Sequence, residues 1–149
     1  MYTLYYSPGT ASMVVHLALL EIDAPFQLVK VDFERDEQHG ADYLKLNPNG
    51  VVPTLVDDGE AVVDSMLINE YLDEKYDQHT RLRPTNPLDK ARMRVWTKLA
   101  SDHGLSGVVP RVWPGFKALT DKLSPAELQE KLNRIPLAER QERWSKVAR

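Results

Sequence analysis

The chain has 149 residues, 42% of them hydrophobic and 28% charged, a globular balance with room for one ordinary domain or two small ones. It contains no cysteine, which excludes a disulfide framework, a thiolate metal site, a cysteine nucleophile and CxxC redox chemistry by this chain alone. The net charge of −3 hides a split, because residues 1–80 carry 4 Lys+Arg against 15 Asp+Glu, net −11, and residues 81–149 carry 15 against 7, net +8. Two modules with different surfaces are expected. The cations of the second half alternate with acids at helical spacing, as on a solvated helix, so no nucleic-acid partner is expected. The longest apolar run, near 13–20, is interrupted by His16 and is too short to span a bilayer. The N-terminus lacks the basic-then-apolar order of a signal peptide. The expectation is a cytoplasmic protein that does not engage a membrane.

Residues 3–6 are short, β-prone and aromatic, and Ser7-Pro8-Gly9 ends them: a strand, then a turn. Residues 11–21 are apolar on nearly every side and read as a buried helix, with His16 as a core histidine. Residues 26–33 form a second strand and 38–46 a short helix. Asn47-Pro48-Asn49-Gly50 is a turn. Residues 51–56 make a third strand containing Pro53, Asp57-Asp58-Gly59 a hairpin turn, and 61–63 a fourth strand. Asp64-Ser65 offers N-cap chemistry to a helix with Leu67, Ile68, Tyr71 and Leu72 on one face. The order β-α-β-α-β-β-α is an α/β layer arrangement.

The period then changes. Asn86-Pro87-Leu88-Asp89 supplies a cap, a proline at the first helical position and an acid in the first turn. Leu88, Ala91, Val95, Trp96 and Leu99 follow at helical spacing, and Trp96 and Trp113 read as core residues. Ser124-Pro125-Ala126-Glu127 is a capping box, and Pro136 begins a last helix running through Trp144. Two or three such helices rarely close a core alone, so they are expected to pack on the α/β module or on further helices. His39, His79 and His103 lack metal-ligand spacing, and no metal site is expected.

Three features carry chemistry. The strand–turn–helix Tyr5-Tyr6-Ser7-Pro8-Gly9-Thr10-Ala11-Ser12 brings hydroxyls to a helix N-terminus, where an anion such as a thiolate is stabilised. Pro53 within a strand is favoured at an edge or in a cis bond, and a cis bond would turn the Val52 N–H and C=O toward an extended peptide. Asp64-Ser65 at a helix start suits the head group of an α-amino acid: N–H and hydroxyl for its carboxylate, Asp64 for its ammonium.

With Tyr-Tyr-Ser-Pro-Gly, Asn-Pro-x-Gly-x-Val-Pro-x-Leu and an acid-Ser pair before Ile-x-x-Tyr-Leu standing in order, residues 1–80 resemble the thioredoxin-fold domain of the glutathione S-transferases. Residues 86–149 resemble the beginning of that family's all-α C-terminal domain, which continues through several more helices, so a truncated helical domain is expected. Arg83-Pro84, Arg92-Met93-Arg94-Val95-Trp96-Thr97-Lys98, Ile135-Pro136, Gln141 and Trp144 resemble the bacterial β-etherase-type transferases, which cleave aryl ethers of lignin-derived compounds with glutathione.

The resemblance implies roles. Ser12, with Thr10 second, matches the hydroxyl that donates to the glutathione sulfur. Ala11 stands where cysteine-type members keep their cysteine, which speaks against mixed-disulfide chemistry. Val52 and Pro53 match the backbone that pairs with the cysteinyl part, Asp64 and Ser65 the γ-glutamyl site, and Gln38 a polar residue near the glycyl carboxylate. Asp64 is a methylene shorter than the usual glutamate. Val109, Trp113 and Phe116, with Val108 and Val112, are expected to line a pocket for a hydrophobic, aromatic electrophile. The implied assembly is a homodimer. The alternative is a non-catalytic transferase-like module used for binding or dimerisation.

Overall fold

The computed structural model describes residues 1–76, 82–103 and 120–147. β1 (Tyr2–Tyr6) leads through a turn to α1 (Ser12–Glu21) and then to β2 (Phe26–Lys30). A 3₁₀ turn (Glu37–His39) and α2 (Ala41–Leu46) precede β3 (Thr54–Asp57), β4 (Glu60–Val63) and α3 (Ser65–Lys75). The helical part holds α4 (Pro87–Leu99), which runs into a π turn at 100–103, then α5 (Pro125–Asn133) and α6 (Ala138–Val147). The four strands form one mixed sheet in the order β2-β1-β3-β4, with β1 and β2 parallel and the other neighbours antiparallel. This is the thioredoxin-like β-α-β-α-β-β-α arrangement the sequence implies, followed by helices.

Strand alternation divides the core. Tyr2 and Leu4 of β1 and Leu55 of β3 join Val15, Ala18 and Leu19 of α1 and Ile68 and Leu72 of α3 in the larger cluster. Tyr5, on the opposite face of β1, packs edge-to-face on Tyr43 of α2, in a smaller cluster with Val31, Val52 and Phe33.

Several expectations shift. The second strand stops at Lys30 because Asp32 turns the chain: its Oδ1 accepts from the N–H of Glu34 and Arg35, while its own N–H donates to Glu37 Oε2. The helix expected over 38–46 is broken by Gly40, whose backbone is extended. The third strand begins only at Thr54, after the cis Val52–Pro53 bond. α1 is not buried all round. Val15, Ala18 and Leu19 face the core, whereas Met13, Leu17 and Leu20 are exposed, and His16 is half-buried and stacked edge-to-face on Phe26. Trp96 is 73% exposed, with Leu88, Val95 and Leu99 of the same helix also exposed, so among the described residues its face meets no core. Trp113 lies outside the described residues.

Two helix starts follow the sequence, whereas the last helix begins at Ala138 and not at Pro136, which lies in a bend. Asn86 accepts from the Asp89 N–H at 2.9 Å. Ser124 and Glu127 form the reciprocal capping box. The joint between the two parts is held by Asp73 at the end of α3, which accepts from the Leu82 N–H and pairs with Arg83, while Arg94 of α4 makes a two-pronged ion pair with Glu70 of α3.

Candidate functional site

Strand register places the candidate residues. Tyr5 faces Thr54 across the β1–β3 ladder, and Thr54 faces Val63 across β3–β4. The turn after β1, the Val52-Pro53 step before β3 and the Asp64-Ser65 step after β4 therefore leave the sheet at one end. Tyr6 pairs with Lys30, so the segment leading to Gln38 leaves there too. Four segments meet along the same edge of the fold.

In the first segment the Thr10 hydroxyl donates to the Ser7 carbonyl at 2.6 Å. That uses its only proton, so the 2.9 Å contact between the two hydroxyls is Ser12 donating to Thr10. Thr10 Oγ1 also accepts the Ser12 N–H. Ser12 is 1% exposed and is the first residue of α1, with Ala11 in the capping position, so its side chain does not cap the helix. Thr10 is the more accessible of the pair.

In the second segment the Val52–Pro53 peptide is cis, and neither the N–H nor the C=O of Val52 has a partner among the described residues. A closed ring of hydrogen bonds supports it from below. Asn47 Nδ2 donates to the Val51 carbonyl and to Thr54 Oγ1, at 2.8 and 3.0 Å. The Tyr43 hydroxyl donates to the same carbonyl at 2.5 Å, which leaves Thr54 as donor in its 2.9 Å contact with Tyr43. Asn47 and Thr54 are fully buried. Burial pushes the Tyr43 phenol above its ordinary value, so it remains a donor.

In the third segment Asp64 occupies a left-handed position, φ 75°, and its Oδ1 accepts from the N–H groups of Met66 and Leu67. Ser65 is the first helical residue and is buried. Asp64 is therefore the cap the sequence indicates, with its carboxylate exposed at the start of α3.

In the fourth segment Gln38 does not present its amide nitrogen outward. Nε2 donates to Asp36 Oδ1 at 2.8 Å, an orientation fixed because a carboxylate accepts only. Oε1 is then buried with no partner. Asp36 also takes His39 Nδ1 at 2.8 Å and lies 2.9 Å from Arg134 Nη1, an ion pair in which the guanidinium does not aim a hydrogen at Oδ2. Burial draws the His39 imidazole below its ordinary value despite the raising effect of Asp36, and Arg134 and Arg140 lower it further.

Sequence reasoning did not find Asp36, Arg134 or the Tyr43–Asn47–Thr54 ring. Val109, Trp113 and Phe116 lie outside the described residues, as do Val108 and Val112. Among the described residues no group of three His, Asp or Glu side chains could hold a metal ion, and no helix is long and apolar enough to cross a membrane.

A four-stranded thioredoxin-like sheet with a cis-proline before its third strand and a capped helix after its fourth defines a glutathione-transferase-type domain. Residues 1–74 match the family model for the glutathione S-transferase N-terminal domain, and the chain belongs to the glutathione S-transferase family. It is 36% identical to protein LigF of Sphingobium sp. (strain NBRC 103272 / SYK-6) over 145 residues, covering 95% of this chain and 56% of LigF. It is 29% identical to glutathione S-transferase GstA of Escherichia coli O157:H7, covering 95% of this chain and 71% of GstA. The crystal structure of the beta-etherase LigF superposes with a TM-score of 0.86 at 34% identity, covering 98% of this chain and 62% of that one. A glutathione transferase homologue from Sulfitobacter with bound glutathione superposes at 0.67, with 28% identity, covering 99% of this chain and 67% of that one.

Proposed function

We propose that this chain binds glutathione at the shared end of its sheet and serves a transferase reaction in which the glutathione sulfur displaces a phenolate from an aryl ether. The observation that carries this reading is the Val52 backbone, without a partner among the described residues, at the end of the sheet where the turn that leads to Ser12 and the Asp64 step also leave it. An extended peptide would pair with Val52 as a short added strand. Asp64 and the start of α3 suit the γ-glutamyl ammonium and carboxylate. The likeness to LigF supports an aryl ether as the electrophile.

In this reaction the thiolate attacks the ether carbon. A C–S bond forms, the C–O bond breaks, and the phenolate leaves with the electron pair. Lowering a thiol pKa from about 8.5 to about 6.5 raises thiolate at pH 7 roughly 25-fold, but nucleophilicity falls about 8-fold over the same range, leaving a net gain of about 3-fold. Holding the ether carbon against the sulfur must therefore contribute more to the rate.

One observation favours a second reading, a binding module without turnover. The protons of Thr10 and Ser12 are both committed inside the turn, so a sulfur must compete with Thr10 for the Ser12 proton. Calorimetric titration with glutathione, followed by assay of phenol release from a β-aryl ether, separates the two. Binding with release supports the transferase, and binding without release supports the module. A folded chain that binds no glutathione overturns both.

A further inference from the structure

We infer that Arg134, in the connection between α5 and α6, is a positioning residue for the glycyl end of bound glutathione, acting through the buried carboxylate of Asp36. The inference rests on the glutathione reading above. Asp36 is 5% exposed and holds three neighbours: His39, Gln38 and Arg134. Gln38 is neutral and burial disfavours the charged form of His39, so Arg134 supplies the lasting positive charge. A buried carboxylate stripped of its counter-charge is strongly destabilised and will move toward water, which releases the two groups that Asp36 orients, Gln38 and His39.

The same place is locked sterically. Gly50 has φ 61°, and a Cβ there would stand 2.7 Å from the His39 ring and 3.2 Å from Pro136 Cδ. The 3₁₀ turn, the Asn47–Gly50 turn and the Arg134–Pro136 connection thus interlock, two residues before Val52. Leu132 and Ile135 are buried beside it, and Gln141 Nε2 closes the connection onto the Ile135 carbonyl at 2.7 Å. Gln38 Oε1, fixed by the Asp36 contact, is a buried acceptor with no partner among the described residues. The helical segment therefore reaches the ligand loop through the Arg134–Asp36 ion pair, which joins residues 98 positions apart, alongside the Arg140 contact with the Asn49 carbonyl and the approach of Pro136 to Gly50.

The test is calorimetric titration of the whole chain with glutathione and with γ-glutamylcysteine, which lacks the glycyl residue. Arg134→Gln is expected to weaken glutathione about tenfold while γ-glutamylcysteine binds as before, and Arg134→Lys to recover part of the loss. Asp36→Asn removes the buried charge, so in that background Arg134→Gln is expected to change nothing further, a comparison that stands even if the single Arg134→Gln variant fails to fold. Equal weakening of both ligands by Arg134→Gln, no weakening of either, or a further loss in the Asp36→Asn background would overturn the inference while leaving the glutathione site intact. Failure of the unaltered chain to bind either ligand would remove the site itself and the inference with it.

Discussion

The Tyr43 hydroxyl donates to the Val51 carbonyl at 2.5 Å, next to Val52, whose backbone has no partner among the described residues. With Asn47 and Thr54 it closes a ring in which every donor has an acceptor. Tyr43→Phe breaks the ring at two places, leaving the buried Thr54 hydroxyl without an acceptor. The expected loss is about 1–3 kcal/mol, read from urea unfolding. Because the bonds are shared, Tyr43→Phe combined with Thr54→Val should lose less than the sum of the two single changes. Strict additivity would refute the ring.

The hydroxyl relay makes unequal predictions for its two members. Ser12 holds the proton that a sulfur would take, whereas Thr10 only accepts it. Ser12→Ala should lower turnover about 10- to 100-fold, as loss of an aimed donor does. Thr10→Val frees the Ser12 proton and should cost less. Ultraviolet absorbance of the bound thiolate checks the cause, since Ser12→Ala should raise the apparent thiol pKa. A Ser12→Ala variant with full activity would remove Ser12 from the mechanism.

Asp64 has a capping role and a proposed binding role, and they can be separated. Asp64→Asn keeps an acceptor for the Met66 N–H and tolerates the positive φ, so stability should change by no more than about 0.5 kcal/mol. Glutathione affinity should nevertheless fall, because the charge facing the ammonium is gone. Asp64→Ala also loses the cap, at about 1 kcal/mol, and is strained at φ 75°. Unchanged affinity in Asp64→Asn would confine this residue to helix capping.

Asp57 sets an acid limit. Burial alone would raise its pKa, but hydrogen bonds from the Lys75 ammonium and the Tyr71 hydroxyl outweigh burial and hold it below the ordinary value. The unfolded chain binds the proton more readily than the folded one. The stabilisation is therefore complete above the ordinary value of 3.8 and is lost as the pH falls through the lowered folded value. Asp57→Asn should flatten the stability curve in that acid range and leave its shape near neutrality alone. Chemical unfolding at a series of pH values reads this directly.

What the sequence made legible was mostly local. Asn86, Ser124 and Asp64 declare helix starts because a cap and its N–H partners lie within three residues. Pro53 inside a strand signals a special step for the same reason. The relationships that cross the chain were not legible. Nothing local in Asp36 indicates Arg134, and Tyr43 reads as an ordinary aromatic until Thr54 is folded beneath it. α1 misleads because Met13, Leu17 and Leu20 are as apolar as its buried face, so periodicity cannot say which side meets the core. Trp96 misleads similarly, since residue type favours burial and its helix does not provide it.

The register that gathers the candidate site at one end of the sheet clears the opposite end. The Asp58-Gly59 turn stands there, between Asp57 and its partner Glu60, and a Cβ at Gly59 would touch nothing. It is the natural place to tether the protein. A dye, an affinity handle or a surface anchor inserted at this turn would sit a strand's length from the candidate site, leaving that end of the sheet facing the solution.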